Sequence, residues 1–179
     1  MLAMSPRFVH AQEPVRRVEV GLTLRFMPTG WFDRSGRDVG AYPALGAAPF
    51  VDYRFNRYAS IGFMPEFTLN VIPKVYDYPI SAMIAASVRL KLQSPPIGVV
   101  APYILLASGY SWLFGYGGAG LGGGAHGLVL GTHVGVRVLL GLRQSILVEV
   151  GYLHGFQREG GTAYAPSYLV IAAGWQMSF

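Results

Sequence analysis

The chain has no cysteine among its 179 residues, which excludes a disulfide framework and thiolate metal sites. Charge is scarce as well: 13% of residues are charged, against about a quarter in an ordinary soluble domain. With 52% hydrophobic residues beside it, so small a charged share implies that much apolar surface never faces water. The net charge of +5 comes from basic residues set singly or in pairs. No basic run resembles a nucleic-acid arm, so nucleic acid is not an expected partner. Also missing is any helix-compatible apolar stretch of the roughly 20 residues that a membrane-spanning helix needs. The span between Lys91 and Arg137 carries no Asp, Glu, Lys or Arg, but Pro95, Pro96, Pro102 and the glycine-rich stretch GYGGAGLGGGAHG (115–127) break it. A lipid-exposed helix does not carry such breaks.

What is present is alternation. The chain ends YLVIAAGWQMSF (168–179), in which Leu169, Ile171, Ala173, Trp175, Met177 and Phe179 form one set and Val170, Ala172, Gly174, Gln176 and Ser178 the other. A period of two places these sets on opposite faces of a strand. Seven earlier segments show the same pattern. They begin near Val15, Ala48, Ser60, Ala82, Val99, His126 and Ser145. In the first, Val18, Val20, Leu22, Leu24 and Phe26 oppose Arg17, Glu19, Gly21, Thr23 and Arg25. The third contains Pro65, which weakens a central strand. The fifth is apolar on both faces. Ile104, Leu106, Tyr110 and Trp112 are assigned outward, and Tyr103, Ala107, Gly109 and Ser111 inward.

The links after segments 2, 4 and 6 are short, whereas those after 1, 3, 5 and 7 are longer: about 28–46, 73–80, 115–125 and 157–165. An even strand number with short turns at one end and long loops at the other predicts an all-β fold: an eight-stranded antiparallel up-and-down transmembrane β-barrel spanning residues 15–179. The large aliphatic and aromatic set suits lipid. The opposite set, charges interspersed with Gly, Ala, Ser and Thr, suits a narrow interior. Residues 1–14 are read as the residue of a signal or leader segment, because Val9-His10-Ala11 resembles a secretory cleavage site behind a very short apolar stretch.

These features resemble the small eight-stranded outer-membrane barrels of Gram-negative bacteria, the class of the OmpA transmembrane domain and the OmpX family. The resemblance covers about residues 15–179, and its most specific motif is the last strand. It implies that Ile171, Ala173, Trp175, Met177 and Phe179 form the alternating signal read by the barrel-assembly machinery. It further implies an integral outer-membrane protein with periplasmic termini and long extracellular loops, surrounded by outer-membrane lipid and lipopolysaccharide and monomeric.

The inward set supplies an expected interior polar network of Arg17, Glu19, Arg25, Asp52, Arg54, Glu66, Arg89, Lys91, Arg137 and Glu149. Charges in so narrow a space must pair, since an unpaired buried charge costs several kcal/mol. If Gly141 faces Ser145 across the turn, Arg137 faces Glu149; Glu66 and Arg89 are related in the same way through the loop near Asp77. The expected function is a plugged barrel with a structural or surface-interaction role carried by its outer loops, of which WFDRSGRDVGAYPALG (31–46) is the richest in aromatic and charged residues. A narrow solute pore is one alternative. The other is a lipid-modifying hydrolase, because eight-stranded lipid A deacylases carry a His followed two residues later by a Ser. His154 stands at a similar place, but the second residue after it is Phe156; Ser108, Ser111 and Ser167 are the serines that could approach it. No catalytic set is assigned from this partial match. No cofactor is expected, and His10, His126, His133 and His154 lack metal-ligand spacing on one element.

Overall fold

The computed structural model describes residues 17–34, 37–38, 43–70, 80–115 and 125–179. The leader at 1–14, the link at 71–79 and most of the glycine-rich stretch lie outside them. Among the described residues ten strands form one antiparallel sheet: β1 (Val18–Met27), β2 (Gly30–Arg34), β3 (Arg37–Asp38), β4 (Ala44–Arg54), β5 (Ala59–Asn70), β6 (Ile80–Gln93), β7 (Val100–Gly115), β8 (His126–Leu139), β9 (Gln144–Glu159) and β10 (Thr162–Ser178). The order is β1-β4-β5-β6-β7-β8-β9-β10, and β10 pairs back onto β1 from Phe26↔Ile171 to Glu19↔Ser178. The sheet is therefore a closed barrel of eight long strands, with no free edge along its wall. Each of the eight segments read from the sequence supplies one of them.

The two additional strands lie in the stretch expected as the link 28–46. β2 continues the line of β1 along β10, pairing Gly30 with Tyr168 and Arg34 with Tyr164. Between Phe26 and Gly30 the first chain uses one residue more than β10 does between Ile171 and Tyr168. Pro28 and Thr29 occupy this bulge, where a proline is tolerated. A second correction concerns the link expected as a long loop at 157–165. There β9 and β10 stay paired up to Glu159↔Thr162, joined by Gly160 and Gly161 with φ of 54° and 86°. Two consecutive residues at positive φ make the tight hairpin turn that matches strand twist, and glycine enters it at no steric cost.

Pro65 stands within β5, paired with Ala86 of β6, and what faces it in β4 is a second proline. Pairing of β4 with β5 runs from Ala44↔Asn70 to Ala47↔Phe67 and resumes from Val51↔Phe63 to Arg54↔Ser60. The same register sets Pro49 opposite Pro65 in the gap. The Phe55 N–H donates to the Ala59 carbonyl at 3.0 Å, so odd-numbered residues of β4 are those whose N–H groups face β5. Pro49 is one of these, and neither proline has a hydrogen to give. Both bonds of that pair are lost together, leaving a short seam in the wall.

The barrel is inside-out relative to a soluble one. Leu24, Val51, Phe63, Val88, Val134 and Val150 project outward and are exposed, while Arg25, Arg89 and Lys91 rank among the largest fully buried side chains. The interior has two tiers. Toward the short turns lie Glu19, Asp52, Arg89, Lys91, Arg137 and Gln176, all buried. Toward the long-loop end a buried apolar cluster contains Met27, Met83, Leu113, Val129, Leu153, Tyr164 and Tyr168. The lumen is thus mixed rather than wholly polar: Phe50, Tyr103, Leu105 and Leu147 pack among the charges of the lower tier, and Ser111 and Gln157 are buried within the upper one.

Candidate functional site

The polar tier is built by strands from around the whole barrel. Glu19 on β1 is its hub: one carboxylate oxygen receives Lys91 Nζ of β6 at 2.6 Å, and the other receives the Arg137 guanidinium of β8 at 3.1 Å and that of Arg54 on β4. Lys91 also donates to the Gln176 side-chain oxygen of β10 at 3.1 Å. Asp52 lies 3.2 Å from Arg89 Nε and 3.4 Å from Lys91 Nζ. Above this, Arg25 pairs with Glu66 at 2.6 Å. The Arg89 guanidinium lies over the Phe50 ring, 4.0 Å from its centroid, an attraction strengthened by burial. Four buried cations (Arg25, Arg89, Lys91, Arg137) therefore share the lumen with four buried carboxylates, of which Glu19, Asp52 and Glu66 are ion-paired with them. Closely paired opposite charges offset the large desolvation cost of placing each in a narrow lumen.

Glu149 has different company from that expected. Its carboxylate accepts the Tyr103 hydroxyl at 2.7 Å and lies 3.8 Å from His133 Nδ1. The close fit of that imidazole depends on a missing side chain, since a Cβ on Gly151 would stand 2.3 Å from its Nδ1.

Three expectations need correcting. Arg137 faces Leu147, and Glu149 faces Gly135. The turn is closed by the Leu140 N–H donating to the Gln144 carbonyl, so its three central residues are Gly141, Leu142 and Arg143 rather than Leu142 to Gln144. A slip of two residues keeps both side chains inside while separating the pair. Likewise Glu66 faces Ala85 and Arg89 faces Gly62, and each finds its partner elsewhere. Finally, Arg17 is exposed at the short-turn rim, because it precedes β1 and lies beyond the lumen. Tyr103, His133, Met64 and Phe50 were legible as inward by parity, but period-two reading carries no signal for what a side chain meets across a barrel.

A second constellation lies on the outer face. Ser167 of β10 is the direct cross-strand partner of His154 on β9, and its Oγ is 2.7 Å from His154 Nδ1. The Phe156 ring meets the imidazole edge-on at 4.4 Å, and the Tyr152 ring lies parallel to it at 6.3 Å. Nearby, the Tyr110 hydroxyl and His126 Nδ1 are hydrogen-bonded, with Trp112 against Tyr110. Of the other two serines considered for His154, Ser111 is buried inside and accepts Gln157 Nε2 at 2.6 Å, whereas Ser108 faces outward opposite Leu130. The five terminal-strand residues Ile171, Ala173, Trp175, Met177 and Phe179 share the outer face of β10, and Trp175 and Phe179 are exposed.

No protein-family profile and no curated protein sequence matches the chain. Solved structures do. Neisserial surface protein A superposes with a TM-score of 0.63 at 14% identity, covering 90% of this chain and 97% of its own. The outer membrane protein OprG of Pseudomonas aeruginosa gives 0.50 at 12% identity, covering 90% and 94%. The outer membrane protease OmpT of Escherichia coli also gives 0.50, at 7% identity and with 91% and 97% covered. At these identities the likeness establishes the fold, that of the small outer-membrane β-barrels, and leaves the activity to be argued from this chain's own residues.

Proposed function

We propose that this protein is an integral β-barrel of the bacterial outer membrane whose closed lumen serves as a scaffold, and whose role is structural or interactive through the segments at its long-loop end. The observation that carries this reading is the Glu19 hub, which draws cations from β4, β6 and β8 onto a carboxylate of β1 and so ties opposite walls together. A lumen crossed by such contacts and capped by the apolar tier supports a plug rather than a passage. The exposed aliphatic belt supports membrane integration, with termini and short turns on the periplasmic side and outer-membrane lipid and lipopolysaccharide around the wall. Reconstitution in planar bilayers is the test: the wild-type protein inserts without a steady conductance, and Glu19→Ala or Lys91→Ala produces one. A steady single-channel current from the wild type would overturn the plug.

A second reading rests on the Ser167–His154 contact. A hydroxyl hydrogen-bonded to an imidazole is the nucleophile-base half of an acyl hydrolase, and here it stands on the outer face among the aromatic side chains of the long-loop end, with His154 half-buried and Ser167 itself buried. Incubation of the reconstituted barrel with lipopolysaccharide or phospholipid tests it. Fatty acid release abolished in Ser167→Ala and in His154→Gln would support hydrolysis. Its absence from the wild type would leave the contact as a cross-strand hydrogen bond that satisfies two polar groups in the girdle.

A further inference from the structure

Among the described residues, the exposed charged side chains of the short-turn end are of one sign. Arg17, Arg57 and Arg143 are exposed there, and none forms an ion pair among the described residues. The acidic side chains of the strand ends nearest them, Glu19 and Asp52, are buried and engaged with the interior cations. The long-loop end differs, since Arg158 and Glu159 stand side by side at the top of β9.

Backbone hydrogen bonds place the three arginines on one continuous arc. The Arg143 carbonyl accepts the Ser178 N–H at 2.8 Å, the Val18 carbonyl accepts the Phe179 N–H at 2.8 Å, and the Arg17 carbonyl accepts the Arg54 N–H at 2.7 Å, at the foot of the turn that holds Arg57. The arc so defined is net positive.

The same rim is unusually apolar. Ile97 and Leu142 are 78% and 76% exposed, and Phe55 and Phe179 are close to 60%. The two turn tips are neighbours, because the Leu139 N–H donates to the Val99 carbonyl at 2.8 Å. Arg57 holds its guanidinium 4.8 Å from the centroid of the Tyr58 ring. Cations with exposed aromatic and aliphatic side chains directly beside them suit an amphiphile, with phosphate on the arginines and glycerol and upper acyl carbons on the rings.

We propose that Arg17, Arg57 and Arg143, with Phe55, Tyr58 and Phe179, form a binding collar for anionic phospholipid headgroups in the leaflet that surrounds the short-turn end. The collar rests on the membrane-spanning reading but does not depend on the plug or on any hydrolase activity. A soluble polyanion lacks the acyl chains that the rim's apolar half contacts, and lipopolysaccharide is the competing lipid source of phosphate.

The full chain refolded in detergent is titrated with phosphatidylglycerol, phosphatidylcholine, lipopolysaccharide and glycerophosphoglycerol, and bound lipid is counted by native mass spectrometry. Phosphatidylglycerol should bind in clear preference to phosphatidylcholine, weakening with salt. Each of Arg17→Gln, Arg57→Gln and Arg143→Gln should reduce the preference by roughly fivefold, and the triple variant by about a hundredfold. The triple variant should keep the heat-dependent gel mobility of a folded barrel; loss of that mobility in wild type would mean that the membrane-spanning reading itself fails. Equal binding of the two phospholipids, a preference that survives the triple substitution, stronger binding of lipopolysaccharide, or equal binding of glycerophosphoglycerol would each overturn the collar.

Discussion

At the scale of single residues, the interior is organised by which charge serves several partners. Glu19 is shared by Lys91, Arg54 and Arg137, whereas Glu149 accepts a tyrosine hydroxyl with a histidine beside it. Glu19→Ala should therefore cost about 3 to 5 kcal/mol, the usual loss when a buried pair is broken by removing one partner. Urea unfolding of the vesicle-inserted barrel measures it. Glu149→Gln keeps an acceptor for Tyr103 and should cost about 1 kcal/mol. In double-mutant cycles Arg137→Ala should couple strongly to Glu19→Ala and much less to Glu149→Ala, by the rule that contacting residues fail to add. A larger coupling to Glu149 would contradict the register of β8 with β9. These partners were not legible in the sequence. Parity placed Glu19, Arg25, Asp52, Glu66, Arg89, Lys91, Arg137 and Glu149 inside, but a two-residue error in one turn leaves parity intact and changes every neighbour. Contacts across the lumen depend on strands far apart in the chain.

Among the elements, alternation was a sufficient guide to the eight wall strands because one face must meet lipid-like surroundings and the other a crowded lumen, so a one-residue slip is never silent. For β7, where both faces are apolar and alternation leaves the phase open, the assigned phase holds: Ile104, Leu106, Tyr110 and Trp112 are exposed, Tyr103 and Ser111 are buried, and Ala107 and Gly109 are half-buried. Turns carry no such two-sided constraint. Gly160-Gly161, a strong two-residue hairpin signal, falls inside the link expected as a loop. Pro65 was legible as a weakness, but its match to Pro49 depends on register. Restoring a donor to that seam should stabilise the barrel. Pro65→Val is expected to gain about 1 kcal/mol, the net worth of an ordinary hydrogen bond. Amide hydrogen exchange gives the local readout: residues 47–51 and 63–67 should exchange faster than their neighbours in wild type and slow in the variant. Uniform protection along β4 and β5 in wild type would show that the prolines leave no weak point.

For the whole molecule, the inside-out distribution predicts recovery only in detergent or lipid, with gel mobility that shifts on boiling. A water-soluble monomer would be incompatible with the exposed aliphatic belt. Phe179→Ser tests the proposed address on β10: assembled barrel in cells should fall far more than yield from detergent refolding, and equal falls would reduce the residue to a stabilising contact. Closure of the barrel also imposes an order in time. The β9–β10 hairpin pairs fourteen positions across a two-glycine turn, so its ends meet after searching a very short loop. The β1–β10 junction joins eight positions that are separated by most of the chain, and loop-closure entropy makes such long-range pairing slow. Until β1 arrives, β10 stands as an unpaired edge with Ile171, Trp175 and Phe179 along it, so the strand that finishes the barrel is also the one left open longest to whatever escorts it into the membrane.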